Sequence, residues 1–261
     1  MRLPREVIRH PSLLRYSLTH PSTQDVLQRW MELEMRKPIM REMKRSAMTK
    51  LSQTFVLGGE RYRYFYGEYN FTWCNERTVE VPFIWNIVSE HPDGKVLEVG
   101  NVLSHYFPTR HLIVDKYERG INVTNEDIVE FWTEDKFDVI VSISTLEHVG
   151  WDERPRNPTK ILKALQRLKL MLAEEGRVYV TLPWGVNPHL DRLIMEGKLG
   201  LTNTLFMRRV SFDNAWEECD SAQLRNAVYM HSYPDSREDC PPYPHANAIL
   251  MGMATNESET F

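Results

Sequence analysis

The chain has 261 residues, 42% of them hydrophobic, enough to bury a sizeable core in one elaborated domain or two small ones. Its net charge of −4 gives no global pull toward nucleic acid, and no apolar run reaches the roughly 18 residues of a membrane span. The three cysteines, Cys74, Cys219 and Cys240, form neither a disulfide framework nor a Cys-x-x-Cys metal pattern; with no apolar signal segment at the start, the expected setting is the reducing cytoplasm.

Charge is unevenly placed. Residues 1–50 carry 11 Lys/Arg and 5 Asp/Glu, a net of +6 that leaves −10 for the remainder. Such a basic extension can dock on an anionic partner, or be the solvated face of helices packed on an acidic body. Pro4, Pro11 and Pro21 allow only short helices at the start, and residues 22–46 follow a helical period with a break before Pro38. Gln53–Leu57 and Arg61–Tyr66 flank Gly58-Gly59 and read as a β-hairpin. The Arg/Tyr alternation of its second arm suits either base stacking or packing of an aromatic side on a helix. Asn75 is a candidate N-cap for a helix to about His91, with Val79, Ile84, Trp85 and Val88 inward and Pro82 early.

The central stretch, residues 95–118, is the most informative. Lys95–Val99 reads as a buried strand ended by Gly100, and His111–Asp115 as a second apolar strand closing on a carboxylate. In open α/β sheets ligands sit outside the carboxyl ends of strands; a glycine there admits a ligand, and an acid ending the next strand accepts from ribose hydroxyls. A dinucleotide would also need a glycine-rich nest for its pyrophosphate. Val102 and Leu103 stand where that nest would need bare amides, and only 15 residues separate Gly100 from Asp115. A phosphate-free adenosine cofactor with an amino-acid tail suits this bend better, which points to S-adenosylmethionine (SAM), with Asn101 and Ser104 placed to bond its tail.

VLEVG, IVDKYE, EDIVEF and FDVIVSISTLEHVG, in that order, resemble the successive motifs of the class I SAM-dependent methyltransferases over roughly residues 75–200. The second and third glycines of that family's loop are missing. The resemblance implies an α/β fold: a seven-stranded, mostly parallel, doubly wound sheet over residues 76–261, preceded by a helical and hairpin cap over residues 1–75. It implies that Glu98 positions the bend or the tail, Gly100 admits the tail, Asp115 and neighbouring Lys116 lie at the ribose, and Asp127 and Ile128 at the adenine. Glu126 is the alternative to Asp127; acids in a helix's first turn are the other reading of both.

Phe137–Ser142 is a near-continuous apolar run of the kind found in central parallel strands, and the small Ser142 and Ser144 leave room for a cofactor. Glu147 and His148 follow where the family places its substrate loop. His148 is the candidate general base, its ordinary pKa lying near 6.5, with orienting the substrate or binding a helix end as the other readings; Glu147, in the same candidate catalytic loop, reads as structural or substrate-orienting. The N-terminal end of the helix from Asn75 would lie at the same mouth, so Trp73, Asn75, Glu76 and Arg77 are candidate substrate residues, with Tyr66 and Tyr69 as lid candidates; a cap with a surface ion pair is the competing reading. Residues 158–174 form an amphipathic helix with Gly176 near its C-cap, RVYVTL is the fifth strand, and Asn187 and Asp191 are further substrate candidates, Asn187-Pro188 alternatively starting a helix. Arg208-Arg209 can bind an anion or be a surface pair. Leu224–His231 and Ala246–Ala254 are expected as antiparallel strands joined by an exposed loop, and the last residues as a frayed tail.

The expected activity is methyl transfer to an oxygen or nitrogen of a small polar acceptor, with a sugar hydroxyl in view. No His/Cys/Asp/Glu spacing calls for a metal. Two other readings stay open: an RNA methyltransferase using the basic extension, and a methyltransferase fold that binds without catalysing.

Overall fold

A computed structural model describes residues 38, 40–49, 53–211, 213–227, 229 and 246–256. The proline-rich start, most of the helical stretch at 22–46, the loop at 232–245, Cys240 and residues 257–261 lie outside them. Residues 40–49 are helical, and Met43 and Ala47 pack on Trp73 and Cys74.

The hairpin forms as expected, β1 (Thr54–Leu57) pairing antiparallel with β2 (Glu60–Arg63). Its aromatic side is turned inward. Phe55 and Tyr62 stack at 5.4 Å, Tyr62 meets Phe83 edge-on, and Phe55 and Leu57 share a core with Val79, Met207, Trp216 and Ile249. Helix α1 (Arg77–Ser89) follows, with Thr78, Val79, Val81, Ile84 and Ile87 buried. It is buried on more than one side: Val79 faces the hairpin core, whereas Ile84 and Ile87 face the main sheet. Trp85 and Val88 are only partly buried, and Trp85 stacks on Phe107 at 4.0 Å.

The main sheet has eight strands in the order β5-β4-β3-β6-β7-β10-β8-β9. β3 (Val96–Val99), β4 (Leu112–Val114), β5 (Val123–Thr124), β6 (Phe137–Ile143) and β7 (Leu172–Pro183) form the parallel part. β8 (Asn203–Arg209), β9 (Trp216–Cys219) and β10 (Ala248–Thr255) complete it, with β10 antiparallel to both β7 and β8. Side chains alternate along β6: Val139, Val141 and Ile143 pack beneath α1, and Ile140 packs beneath α2 (Lys160–Leu170). Helix α3 (Pro188–Met195) joins the α2 layer through Leu190 and Leu193. This is the expected doubly wound, mostly parallel α/β fold, with one short antiparallel strand, β9, more than seven.

Three local expectations are corrected. Helix α2 stops at Leu170, and β7 starts at Leu172. Gly176 is therefore not a C-cap but lies in a bulge, where pairing jumps from Phe137↔Leu172 to Val139↔Arg177. A Cβ there would sit 2.5 Å from the Phe137 carbonyl oxygen, so only glycine lets the strands close up. Leu224 lies in a 3-10 helix, Ser221–Asn226, rather than a strand; the partner of β10 is β8, which contains Arg208 and Arg209. The pair of arginines is not a surface pair: Arg209 is buried, while Arg208 bonds Glu217.

The β3–β4 crossover is a single 3-10 turn, Leu103–His105. That brevity keeps the chain close to the carboxyl ends of β3 and β4, and the site is built there.

Candidate functional site

The bend after β3 is held from below. Glu98 is fully buried; its Oε1 accepts from the backbone N–H groups of Val102 and Leu103, both at 2.8 Å, and its Oε2 pairs with His111 Nε2 at 2.7 Å. One carboxylate thereby gathers the amides that a glycine nest would otherwise turn toward a phosphate. Gly100 has φ +87° and donates its N–H to the Val114 carbonyl at 2.9 Å. A Cβ on Gly100 would lie 2.1 Å from Thr145 Oγ1. The close approach of β3's end to the loop after β6 requires glycine.

Asp115 faces the bend across the strand ends. Its Oδ2 accepts from Asn101 N–H at 3.1 Å, and its Oδ1 from the N–H groups of Tyr117 and Glu118 at 2.8 and 2.6 Å. Beyond it, Asp127 receives Lys116 at 2.9 Å and Lys160 at 2.5 Å on one oxygen, and both lysines also reach Glu153. Burial disfavours the Asp127 charge, but the two lysine hydrogen bonds override it and hold the carboxyl down at about 2.

These groups surround a cavity of about 470 Å³. Gly100, Asn101, Asp115, Lys116, Asp127, Ile128, Ser144, His148 and Arg77 line it, as does the alternative acid Glu126. Val102 lines the cavity rather than blocking it, and Leu103 is fully buried beneath the bend. The other expected cofactor residues stand behind the wall. Glu98 holds the bend, the Ser104 hydroxyl donates to Asn101 Oδ1, and Ser142 Oγ donates to the Val99 carbonyl at 3.0 Å.

At the opposite wall Arg77 donates from Nη1 to the Ile143 carbonyl at 2.9 Å and lies 3.6 Å from Glu80 Oε2. His148 reaches Asp152 Oδ2 through Nδ1 at 2.7 Å, while its Nε2 lies 3.4 Å from Glu147 Oε1. A proton held on Nδ1 toward Asp152 leaves Nε2 as the basic nitrogen. Glu147 itself is buried behind the wall, and burial, opposed by His148, pushes its carboxyl up to about 7.

The remaining substrate candidates do not line the cavity. Trp73 is packed in a side core, and the Asn75 amide bridges the Asn70 carbonyl and the Arg77 N–H. Glu76 Oε2 accepts from Ala246 N–H at 3.0 Å. Asn187 caps α3, accepting from His189 and Leu190 N–H, and donates to the Glu147 carbonyl; its polar atoms are committed to the fold. Asp191 accepts from Gly185 N–H at 3.1 Å, and burial raises its carboxyl to about 6. Several lining residues carried no sequence signal. Thr145, Glu153 and Asn70 reach the cavity only through long-range packing, whereas Asp152, four residues after His148, was visible as a spacing.

These buried carboxyls set a pH dependence of stability. Glu147 and Asp191 titrate higher in the folded chain, near 7 and 6, than the ordinary 4.5 and 3.8, and burial shifts Glu76 in the same direction. The folded state then binds protons the unfolded chain has released. Their stabilising effect is complete below about pH 4 and is lost as pH rises through 6 and 7. Asp127 acts oppositely, losing its contribution only as pH falls toward 2. The melting temperature is expected to fall between pH 5 and pH 8, and Glu147→Gln should flatten that slope; an unchanged slope in the variant would refute the assignment.

Among the described residues no helix is long and apolar enough to cross a membrane, and no group of three or more His, Cys, Asp and Glu side chains could hold a metal ion.

No protein-family model matches the chain, and no curated protein is similar to it in sequence. Solved structures overlap it in part. A putative methyltransferase from Bacillus halodurans C-125 is 12% identical, with 67% of this chain and 99% of that one covered and a TM-score of 0.40. The N-methyltransferase NodS from Bradyrhizobium japonicum WM9, in complex with S-adenosylhomocysteine, is 14% identical over 71% and 95%, with a TM-score of 0.37. An S-adenosylmethionine-dependent methyltransferase from Clostridium acetobutylicum ATCC 824 is 11% identical over 67% and 90%, with a TM-score of 0.35. The chain's own topology carries the assignment: five parallel strands, a switch point between β3 and β6, and an antiparallel strand inserted beside β7. With a glycine bend after β3 and an acid after β4, this is the doubly wound, mostly parallel α/β fold that the sequence resemblance implies.

Proposed function

We propose that the chain is a SAM-dependent methyltransferase acting on an oxygen or nitrogen of a small polar acceptor. The observation that carries this is Gly100: its backbone is pressed so closely against Thr145 that no side chain fits, and it opens the floor of a 470 Å³ cavity onto Asp115. When bound, SAM supplies a methyl group already activated on a sulfonium. The protein's work is alignment and exclusion of water.

Each residue then has a task it can perform from where it stands. Asp115 accepts three backbone N–H groups and keeps about one of its four lone-pair sites, on Oδ2, for a ribose hydroxyl. Asp127 offers an acceptor to the adenine amino group while its lysines keep it charged, and Ile128 covers one face of the ring. Gly100 and Asn101 admit the amino-acid tail. His148, oriented by Asp152, takes the proton of the acceptor.

The direct test is calorimetric binding of S-adenosylhomocysteine to wild type and Asp115→Ala. Removing a charged acceptor for a ribose hydroxyl should weaken affinity by about ten- to a hundredfold, as charged hydrogen bonds are worth about 1.5–3 kcal/mol. No binding to wild type, or equal binding to both, would remove the proposal. Preferential binding of NAD would point to a dehydrogenase instead.

A further inference from the structure

Four charged side chains from four separate segments close into a ring at one end of the cavity. Lys116 follows β4, Asp127 follows β5, Glu153 stands in the loop between His148 and α2, and Lys160 opens α2. Lys116 Nζ lies 2.9 Å from Asp127 Oδ2 and 2.8 Å from Glu153 Oε1; Lys160 Nζ lies 2.5 Å and 2.6 Å from the same two oxygens. The Asp127, Lys160 and Glu153 side chains are 10%, 15% and 23% exposed, so water screens the ring only in part. Lys116, Asp127 and Glu153 all line the cavity. The loop that delivers Glu153 is closed at its base, where Asn157 N–H donates to the Gly150 carbonyl at 2.7 Å.

The ring dictates how Asp127 presents itself. The terminal torsion of an aspartate is broad, so an untethered carboxylate swings. Here both lone pairs of Oδ2 face ammoniums, and Oδ1 accepts from Val129 N–H at 3.1 Å. Of about four lone-pair sites, one is left, on Oδ1. Two ammoniums on one oxygen also repel each other. The Glu153 carboxylate, touching both, supplies the second negative charge and makes the ring neutral. Without it one lysine is driven off, and the carboxylate it held is free to turn.

We propose that Glu153 is a positioning residue for recognition of the methyl donor: with Lys116 and Lys160 it fixes Asp127 so that the one remaining acceptor site meets the adenine amino group, and the cavity selects a 6-amino over a 6-oxo purine. This rests on the methyl-transfer reading above. A 6-amino group donates to the free site on Oδ1. A 6-oxo group turns lone pairs toward it and leaves the carboxylate without its donor. Sites built to hydrogen-bond one group reject an analogue lacking it for this reason. The selection depends on a carboxylate that is both charged and unable to rotate, and the ring provides both.

The test is calorimetric binding of S-adenosylhomocysteine and of S-inosylhomocysteine, its 6-oxo analogue, to the full chain. Wild type is expected to prefer the adenosyl compound by about thirtyfold, the effect of one charge-assisted hydrogen bond. Glu153→Gln should cut that preference to about threefold, chiefly by loss of affinity for the adenosyl compound, although Glu153 itself touches no part of the base. Lys160→Met should do the same, and the double variant should match Lys160→Met alone, because with one lysine gone there is no repulsion left for Glu153 to offset. A general loosening of the wall weakens both nucleosides alike and keeps their ratio. A ratio unchanged from wild type in Glu153→Gln and Lys160→Met therefore overturns the positioning role while nucleoside binding stands; if Glu153→Gln does not melt as a folded protein, Lys160→Met decides. Preference of wild type for the inosyl compound would make the lysines the readers of the base and overturns it as well. Failure of wild type to bind S-adenosylhomocysteine overturns the methyl-transfer reading and this one with it.

Discussion

Gly100→Ala is expected to abolish measurable binding of S-adenosylhomocysteine, raising Kd at least a hundredfold, and to lower the melting temperature. Two costs combine. An L-residue at φ +87° carries a backbone penalty of about 1–2 kcal/mol. The new methyl would also lie 2.1 Å from Thr145 Oγ1 and 2.9 Å from Thr145 Cβ, so the loop after β6 must retreat. Overpacking of this kind costs about 1–3 kcal/mol. Retreat moves Thr145, Ser144 and His148 together, because all three line the same cavity. The effect on binding should therefore exceed the effect on stability. A second substitution separates the terms: Thr145→Gly in the Gly100→Ala background removes the clash but not the strain, and should recover part of the lost stability. Calorimetry and thermal melts on the four proteins give the coupling directly. Binding by Gly100→Ala within threefold of wild type would mean that the bend does not border the cofactor.

Glu98→Ala should cost more in stability than any other single change at the site. The carboxylate satisfies the Val102 and Leu103 amides and the His111 ring at once, with no exposure to water. Its removal leaves two buried backbone donors and the His111 ring nitrogen without their partner, at about 1–3 kcal/mol each. The expected loss is about 3–5 kcal/mol in urea unfolding. Glu98→Gln keeps one acceptor oxygen for the two amides and should lose less than half as much. Nucleoside affinity should fall in both, since the bend that Glu98 gathers is the cavity floor. A loss below about 1 kcal/mol for Glu98→Ala would show that water or a shifted backbone replaces the carboxylate.

The Glu98 arrangement also explains the missing glycines. A loop that turns bare amides toward a ligand needs residues free to adopt unusual backbone angles. Here two of those amides, on Val102 and Leu103, point inward at a carboxylate instead, and ordinary side chains are tolerated. Leu103 then fills the core beneath α1, and Val102 forms part of the cavity wall. The glutamate of VLEVG could be seen in the sequence, but not that it faced the loop after it rather than the ligand.

The sequence by itself determined the parallel strands, the bend at Gly100, the acid at Asp115 and the hairpin around Gly58-Gly59, because each is written in a local pattern: apolar runs, period-two alternation, a glycine ending a strand. Only the tertiary structure decided the rest. Thr145 meets Gly100 from 45 positions away, Lys160 meets Asp127 from 33, and Ser144 meets Glu80 from 64. The bulge at Gly176 and the insertion of β10 between β7 and β8 likewise depend on partners distant in the chain. Local patterns report what a residue prefers beside its neighbours. Which carboxyl is buried without a donor, and which glycine is pressed against a threonine, is settled by the packing of whole layers.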